Sequence, residues 1–367
     1  MTFTYSSLRT RVVFGPGAAR TRLVDEVDRL EATRVLVVAG EAEMPLAREL
    51  AAPLGERVVG WFDDVRQHVP VACAEAARAM ARETRADLVL SVGGGSTTGT
   101  AKAVALTDSL PVLAVPTTYA GSEMTNVWGL TEAGRKTTGV ADVVAPRTVV
   151  YDPELTVGLP ADLSAASGMN AMAHCVEAVW GPGANPVTDL MALEGVAALR
   201  RGLPGVLADG HDVDARSDVL YGAWLSGTAF AAAGSGLHHK TCHVLGGAFD
   251  LPHAAMHAVV LPHVLAFQVP ALGERAARLG RALGDEADPV GALVRLDDAI
   301  GIPAGLRDVG LAEADLDEAV RLVAEKVADG AIPNPRPIGH ADVDALVRAA
   351  WAGRPATTAD ENAGAGA

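Results

Sequence analysis

Short apolar runs rich in β-branched residues alternate with helical segments over residues 1–155, and this alternation restricts the possible folds more than any other feature. Four runs have the length and composition of buried strands, at 34–39, 57–61, 86–92 and 112–115. Helical segments separate them, at 43–54, 71–85 and 98–106. Because strands joined by helices run parallel and bury both faces, the pattern predicts a parallel sheet that binds ligands at the carboxyl ends of its strands.

The pattern changes after Pro160, where β-branched runs become rare and helical periodicity dominates. The helical segments are 186–201, 213–233, 272–283, 289–300, 313–328 and 341–352. Prolines and a glycine within residues 151–160 mark a boundary. We therefore predict an α/β domain at 1–158, a helical domain at 159–355 and a disordered tail of small and polar residues at 356–367.

Composition excludes several classes of protein. A formal net charge of −15 argues against nucleic acids or anionic membranes as partners. The N-terminus lacks the features of a secretory signal, and no run of about 18 uncharged apolar residues predicts a membrane helix. Cys73, Cys175 and Cys242 have neither the number nor the spacing of a disulfide framework or a thiolate zinc site. We expect a cytoplasmic protein that binds a small molecule.

Two polar loops follow successive strands. The first, GGGSTTGTAKA, offers Gly94, Gly95 and Ser96 to a diphosphate at the start of a helix. The second, PTTYAGSEMTN, adds hydroxyl groups after the next strand, on Thr117, Thr118 and Ser122. A glycine-rich turn alone also fits a tight strand-to-helix connection, but two such loops at neighbouring strand ends favour a dinucleotide.

Gly40 follows the first of the four predicted strands, where an acidic residue usually binds the ribose 2′-hydroxyl of NAD. The glycine predicts weak discrimination between NADH and NADPH. Glu41 is one residue further on and can still reach the ribose.

The segment 236–257 contains five of the ten histidines in the chain. His239 and His243 are four residues apart, as are His253 and His257, so on helices each pair projects from one face. A single histidine on an alanine-rich helix is more often a core or surface residue. The cluster indicates proton transfer or metal binding.

Seven motifs, in order along nearly the whole chain, resemble the iron-containing alcohol dehydrogenase family, and more closely its maleylacetate reductase branch. They are RVVFGPGA, GGGSTTGTAKA, PTTYAGSEMTNVWGLTEAGRKTTG, PRTVVYDPELTVGLP, SGMNAMAHCVEA, GLHHKTCHVLGGAFDLPHAAMHAVVLPHV and NPRPI. The resemblance implies a Rossmann-like α/β domain that binds NADH or NADPH and an all-α C-terminal domain, the fold shared with dehydroquinate synthases. It also implies an active site in the cleft between them.

The resemblance implies four metal-ligand positions, an aspartate and a histidine four apart on one helix and two later histidines. In this chain they are Asn170, His174, His239 and His253. An amide offers only a neutral carbonyl oxygen where iron or zinc favours a carboxylate. We therefore predict catalysis without an obligatory metal, although three histidines can hold zinc in an enzyme.

The resemblance further implies reduction of the carbon–carbon double bond of maleylacetate to 3-oxoadipate, a step in the degradation of aromatic compounds. His243 matches a non-ligand histidine of the family and is the predicted proton donor. Lys240, His239 and His253 are predicted to form a positive surround for a substrate carboxylate and the developing oxyanion; Lys240 is also typical of a solvated surface residue.

Other polar residues complete the predicted site. Asn170, His174 and Arg336 are candidates to bind the dicarboxylate, although an arginine on a proline-rich loop is more often simply exposed. Lys136 is expected near the nicotinamide ribose. Glu177, three residues after His174, is a candidate to orient that imidazole, and its position is equally typical of an ordinary surface acid.

Three alternatives remain. A metal-dependent alcohol dehydrogenase or aldehyde reductase of the same family predicts activity that is lost on chelation. A lyase related to dehydroquinate synthase predicts clustered phosphate-binding lysines and arginines, and no such cluster is visible. A non-catalytic binding protein is disfavoured because the cofactor loops and the histidines occur together. We also expect a homodimer.

Overall fold

The structure, a computed structural model, describes residues 2–132, 135–329, 332 and 334–355, with the side chains of Arg135 and Lys136 left out. Two predictions, the tail at 356–367 and the role of the Lys136 side chain, thus lie outside the described residues. The chain divides into two compact units. One comprises Ser7–Leu159 with Gly210–Leu220, and the other comprises residues 2–6, Pro160–Asp209 and the chain from Tyr221 onward.

The α/β unit contains a six-stranded sheet in which all neighbouring strands run parallel. The strands of the unit are β1 (Arg11–Phe14), β2 (Val35–Val38), β3 (Val58–Phe62), β4 (Leu88–Gly93), β5 (Val112–Pro116), β6 (Val127–Glu132), β7 (Arg135–Val140) and β8 (Thr148–Tyr151). The sheet order is β1-β8-β5-β4-β2-β3, and β6 pairs with β7 as an antiparallel hairpin. The helices of Ser7–Leu159 are α1 (Ala18–Arg29), α2 (Met44–Ala51), α3 (Val71–Glu83) and α4 (Gly95–Asp108).

The side-chain alternation of β2 explains why helices cover both faces of the sheet. Val35 and Val37 pack into a cluster that includes apolar residues of α1 and α2. Leu36 and Val38 point the other way, into a cluster that includes residues of α3 and α4. The predicted α/β fold class is confirmed. All four predicted strands are present, whereas β1, β8 and the hairpin were not predicted.

The segment Gly210–Leu220 belongs to the α/β unit although it lies within the helical half of the sequence. Arg216, which is only 1% exposed, attaches it there. Its guanidinium donates to the Tyr119 hydroxyl at 2.9 Å and to the Leu159 carbonyl at 3.2 Å. The simple division near residue 158 missed this segment because a single buried arginine carries no periodicity signal.

The remaining elements are helices: α5 (Ala161–Ala178), α6 (Pro186–Ala208), α7 (Val213–Ala233), α8 (Leu237–Phe249), α9 (His253–Leu272), α10 (Glu274–Leu283), α11 (Pro289–Ala299), α12 (Leu316–Ala328) and α13 (His340–Ala352). The first turns of α7 lie in the segment just described. Helix α9 is long and apolar enough to cross a membrane by length and composition alone, but 67% of its apolar window is buried inside the fold. That burial is typical of a core helix.

Asp152 holds the start of α1 beside the end of β8. The carboxylate is fully buried and accepts hydrogen bonds from the backbone N–H groups of Gly17 and Ala19, both at 3.0 Å, and of Glu154 at 3.1 Å. It thereby satisfies N–H groups that a helix start leaves without a partner.

We expect Asp152→Ala to lower the free energy of unfolding by about 2–4 kcal/mol, because it leaves buried N–H groups unpaired. Urea denaturation measures the change. The exposed Asp25→Ala on α1 is the control and should stay within about 0.5 kcal/mol of the wild type. Equal midpoints for wild type and Asp152→Ala would show that Asp152 does not hold this corner.

Candidate active site

Three helices supply the polar residues of the site. Asn170, His174 and Glu177 are spaced four and three residues apart on one face of α5. Helix α8 carries His238, His239, Lys240 and His243, and α9 carries His253 and His257. Both predicted histidine pairs therefore do lie on helices.

Four of these histidines are buried and lie against one another. The rings of His174 and His239 stack with centroids 4.8 Å apart and planes 13° from parallel. The Phe230 ring covers both, at 4.6 Å and 4.4 Å. The ring centroid of His257 lies 4.9 Å from those of His238 and His239. We call His174, His238, His239 and His257 the buried histidine cluster.

Glu177 ties α5 to the start of α8. It is fully buried, its Oε1 accepts the backbone N–H of His238, and its Oε2 lies against His239 Nδ1, both at 2.6 Å. A Cβ at Gly236 would lie 3.1 Å from Oε1, so the glycine permits this close approach. The prediction that Glu177 orients His174 is therefore wrong, because its carboxylate contacts His238 and His239 of α8.

The hydrogen bond to Glu177 fixes the tautomer of His239. When Nδ1–H donates to the carboxylate, Nε2 keeps its lone pair. Burial raises the pKa of Glu177 to about 7, and the backbone N–H groups that it accepts oppose that shift.

Burial keeps the cluster neutral. It lowers the pKa of His174 to about 3 and of His238 to about 4, and with the neighbouring imidazoles it lowers the pKa of His239 and His257 well below the ordinary value. The prediction that His239 contributes positive charge is thus contradicted. A buried imidazole surrounded by others loses more by desolvation than it gains as a cation.

Five buried polar atoms of Asn170 and the buried histidine cluster have no hydrogen-bond partner among the residues that the structure describes: Asn170 Oδ1, His174 Nδ1, His239 Nε2 and both ring nitrogens of His257. Buried polar groups are nearly always paired in folded proteins. Asn170, His174 and His239 occupy three of the four positions that the family resemblance assigned to metal binding. Their unpaired atoms are therefore available to a bound molecule.

The donor set at this place differs from the family's metal site. Asn170 supplies a neutral amide where the family has a carboxylate. Among the residues that the structure describes, the group of three donors within 4.8 Å of one another is His238, His239 and His257, which shares only His239 with the family positions. With a neutral amide in place of the carboxylate, the family's positions do not fit its metal here. Three imidazoles still suit zinc in chemical type.

Residues at the margin of the cluster reach solvent. His243 and His253 are exposed, and Lys240 is half-buried. The ring centroids of His243 and His253 lie 6.5 Å and 4.3 Å from that of His257. The predicted proton donor is therefore close to the buried cluster and open to water.

Arg336 is engaged within its own unit. Its Nη1 donates to the Phe267 carbonyl at 3.2 Å, its guanidinium lies 4.2 Å from the centroid of the Phe267 ring, and Asp342 lies 3.6 Å away. These contacts give no support to its predicted role as a carboxylate clamp.

The two predicted cofactor loops touch in the α/β unit. A Cβ at Gly94 would lie 3.0 Å from Thr118 Cγ2, and one at Gly95 would lie 3.3 Å from Ala120 Cβ. The Thr117 N–H donates to the Gly93 carbonyl at 3.1 Å, and α4 begins at Gly95 with Ser96 in its first turn. Glycine backbone at a helix start is a cradle suited to a diphosphate, so these residues fit a dinucleotide.

Lys102, which no sequence pattern singled out, anchors the second loop. This lysine of α4 is 1% exposed, and its ammonium donates to the carbonyls of Ser122 at 2.6 Å and of Thr125 and Val127 at 2.9 Å. Ser122, predicted to bind the cofactor, thus gives its carbonyl to Lys102. Burial lowers the pKa of Lys102 to about 7, and Glu123 opposes that shift.

Residues 9–153 match the iron-containing alcohol dehydrogenase family, and residues 164–351 match the C-terminal part of the Fe-containing alcohol dehydrogenase family. The chain belongs to the iron-containing alcohol dehydrogenase family.

Within this family the chain is similar to maleylacetate reductases. It is 46% identical to the maleylacetate reductase of Sphingobium indicum, over 98% of this chain and 100% of that protein. The crystal structure of the maleylacetate reductase from Rhizobium sp. superposes with a TM-score of 0.91 at 41% identity, covering 96% of this chain and 99% of that one. An iron-containing alcohol dehydrogenase from Corynebacterium glutamicum reaches a TM-score of 0.92 at 46% identity, covering 97% and 98%. The predicted resemblance is confirmed.

We expect Lys102→Met to lower the free energy of unfolding by about 3 kcal/mol, because it leaves several buried carbonyls without a donor. It should also weaken NADH binding, since the loop of Thr117 and Thr118 loses its anchor. Urea denaturation and a fluorescence titration with NADH measure the two effects. Lys326→Met, at a side chain that is 42% exposed, is the control. Wild-type values for both quantities in Lys102→Met would contradict the anchoring role.

Proposed function

We propose that this protein reduces the carbon–carbon double bond of maleylacetate with NADH or NADPH and releases 3-oxoadipate. The observation that carries the proposal is its near full-length identity of 46% to a maleylacetate reductase. Asn170 supports it, because a neutral amide at a metal-ligand position of the family binds a divalent metal less well than a carboxylate does.

The reaction needs one hydride, one proton and groups that stabilise the negative charge of the intermediate. The alkene of maleylacetate is conjugated to a ketone, so the nicotinamide delivers hydride to the far alkene carbon and the electron pair moves onto the ketone oxygen. The resulting enolate takes a proton at the remaining carbon, which completes the saturated product. Positive charge near the oxyanion lowers the barrier to hydride transfer.

Burial decides which residues can supply that charge. The buried cluster is neutral, since the pKa of His174 and His239 is depressed. Within it, His174 binds the dicarboxylate by donating an imidazole N–H, and Asn170 donates its side-chain N–H groups; His239 Nε2, which keeps its lone pair, does not donate. Lys240, half-buried on α8, and His253, exposed at the start of α9, supply the positive surround.

His243 donates the proton. Its ring lies 6.3 Å from that of His239, one helical turn away on α8, and it is exposed, so water can return the proton after each turnover. The buried imidazoles cannot do this near neutral pH because burial keeps them unprotonated. The cytoplasmic location and the homodimer stay predictions.

We expect His243→Ala to lower kcat for maleylacetate by about 100-fold or more, the usual effect of removing a general acid. The affinity for NADH should not change. Loss of NADH absorbance gives kcat, and a fluorescence titration gives the affinity. His340→Ala, at an exposed histidine that begins α13, is the matched control. An unchanged kcat would remove His243 from the mechanism.

The converging imidazoles of His238, His239 and His257 favour one alternative, a metal-dependent reductase of aldehydes. Exhaustive chelation separates the two functions. We expect the maleylacetate rate to survive chelation within about twofold and to exceed the rate with any simple aldehyde, because no carboxylate completes the family's ligand set. Chelator-sensitive aldehyde reduction with no turnover of maleylacetate would establish the alternative.

A further inference from the structure

We propose that Glu43 is the residue that recognises the ribose 2′ position of the cofactor, and that its carboxylate makes the protein prefer NADH to NADPH. This inference rests on the proposed use of a nicotinamide cofactor. It replaces the weak discrimination that the glycine at position 40 predicted.

A tight turn brings Glu43 back over the end of β2. The Ala39 N–H still donates to the Phe62 carbonyl at 3.1 Å, so the sheet continues up to Gly40. The Gly40 carbonyl then accepts the N–H groups of Glu43 at 3.1 Å and Met44 at 2.9 Å. The chain therefore reverses within a few residues of the strand end.

The Glu43 carboxylate occupies the space that a side chain at position 40 would fill. A Cβ built on Gly40 would lie 2.6 Å from Glu43 Oε2, closer than any real contact allows. In dinucleotide-binding sheets an acid at this strand end accepts hydrogen bonds from the ribose hydroxyls. Glu43 thus places a carboxylate oxygen at the strand end, where Gly40 has no side chain.

Glu43 has no competing task at the helix start. It is the N-cap residue of α2, but its side chain makes no capping hydrogen bond. It is also only partly buried, so a ligand can reach it. Glu41 is exposed and lies on the turn before it.

The charge around the turn opposes a 2′-phosphate. Residues 39–47 contain two glutamates and no lysine or arginine. The arginine of α2, Arg48, lies with its guanidinium 4.4 Å from the centroid of the Trp61 ring. A phosphate adds nearly two negative charges, which the carboxylate repels, whereas a ribose hydroxyl donates to it.

Direct binding tests the inference without turnover. NADH and NADPH are titrated against wild type, Glu43→Gln and the control Glu41→Gln, with nucleotide fluorescence as the signal. We expect wild type to bind NADH at least about tenfold more tightly than NADPH, and Glu43→Gln to reduce that ratio by about tenfold. Glu41→Gln tests the other acid of the turn, which the sequence placed within reach of the ribose, and should leave the ratio unchanged; a loss of the NADH preference in Glu41→Gln but not in Glu43→Gln would assign the role to Glu41 and overturn that of Glu43.

A rescue distinguishes the carboxylate from a general disturbance of the turn. Gly40→Asp in the Glu43→Ala background places an acid directly at the strand end, in space that the shorter alanine vacates, and should restore the preference for NADH. An unchanged ratio in Glu43→Gln and Glu43→Ala, with both nucleotides still bound, would overturn the role of Glu43. Failure of wild type to bind either nucleotide would instead overturn the proposed cofactor use, and this inference with it.

Discussion

The buried carboxylate of Glu177 is the interaction on which the site depends. It receives the first free N–H groups of α8 and the imidazole of His239, so one side chain fixes where α8 begins and which nitrogen of His239 carries the proton. Gly236 makes the contact possible, because any side chain there would crowd the carboxylate. The stacking of His239 on His174 follows from this placement, since both rings are then held between α5 and α8.

Desolvation divides the histidines into two groups with different chemistry. The imidazoles of the buried cluster are held neutral by desolvation, and the contact with Glu177 fixes the tautomer of His239. His243 and His253, on the outer turns of the same helices, remain in contact with water. A helical spacing of four residues thus places one histidine of each pair in the core and the other at the surface.

The sequence predicted what depends on local periodicity. The buried strands and most helices followed from apolar spacing, and the histidine pairs followed from helical repeats. It failed where a contact joins distant elements. The partner of Glu177, the anchoring role of Lys102 and the docking of Gly210–Leu220 by Arg216 each depend on one side chain crossing to another element. The prediction of a positive charge on His239 failed for a related reason. The sequence does not show that Phe230 and the neighbouring imidazoles bury this side chain.

The loss of one carboxylate reorganises the electrostatics of the whole site. An aspartate at position 170 would add a negative charge among buried imidazoles, and a divalent cation would then balance it. With Asn170 no such charge exists, and the neutral imidazoles need no counter-ion. The buried imidazoles do not supply the positive charge that enolate formation requires, and the proposed sources are Lys240 and His253 at the margin of the cluster. When a conjugated alkene is reduced, the negative charge develops on an oxygen several bonds from the carbon that accepts the hydride. Such a reaction tolerates positive groups at the margin of the cluster better than the reduction of a simple carbonyl does.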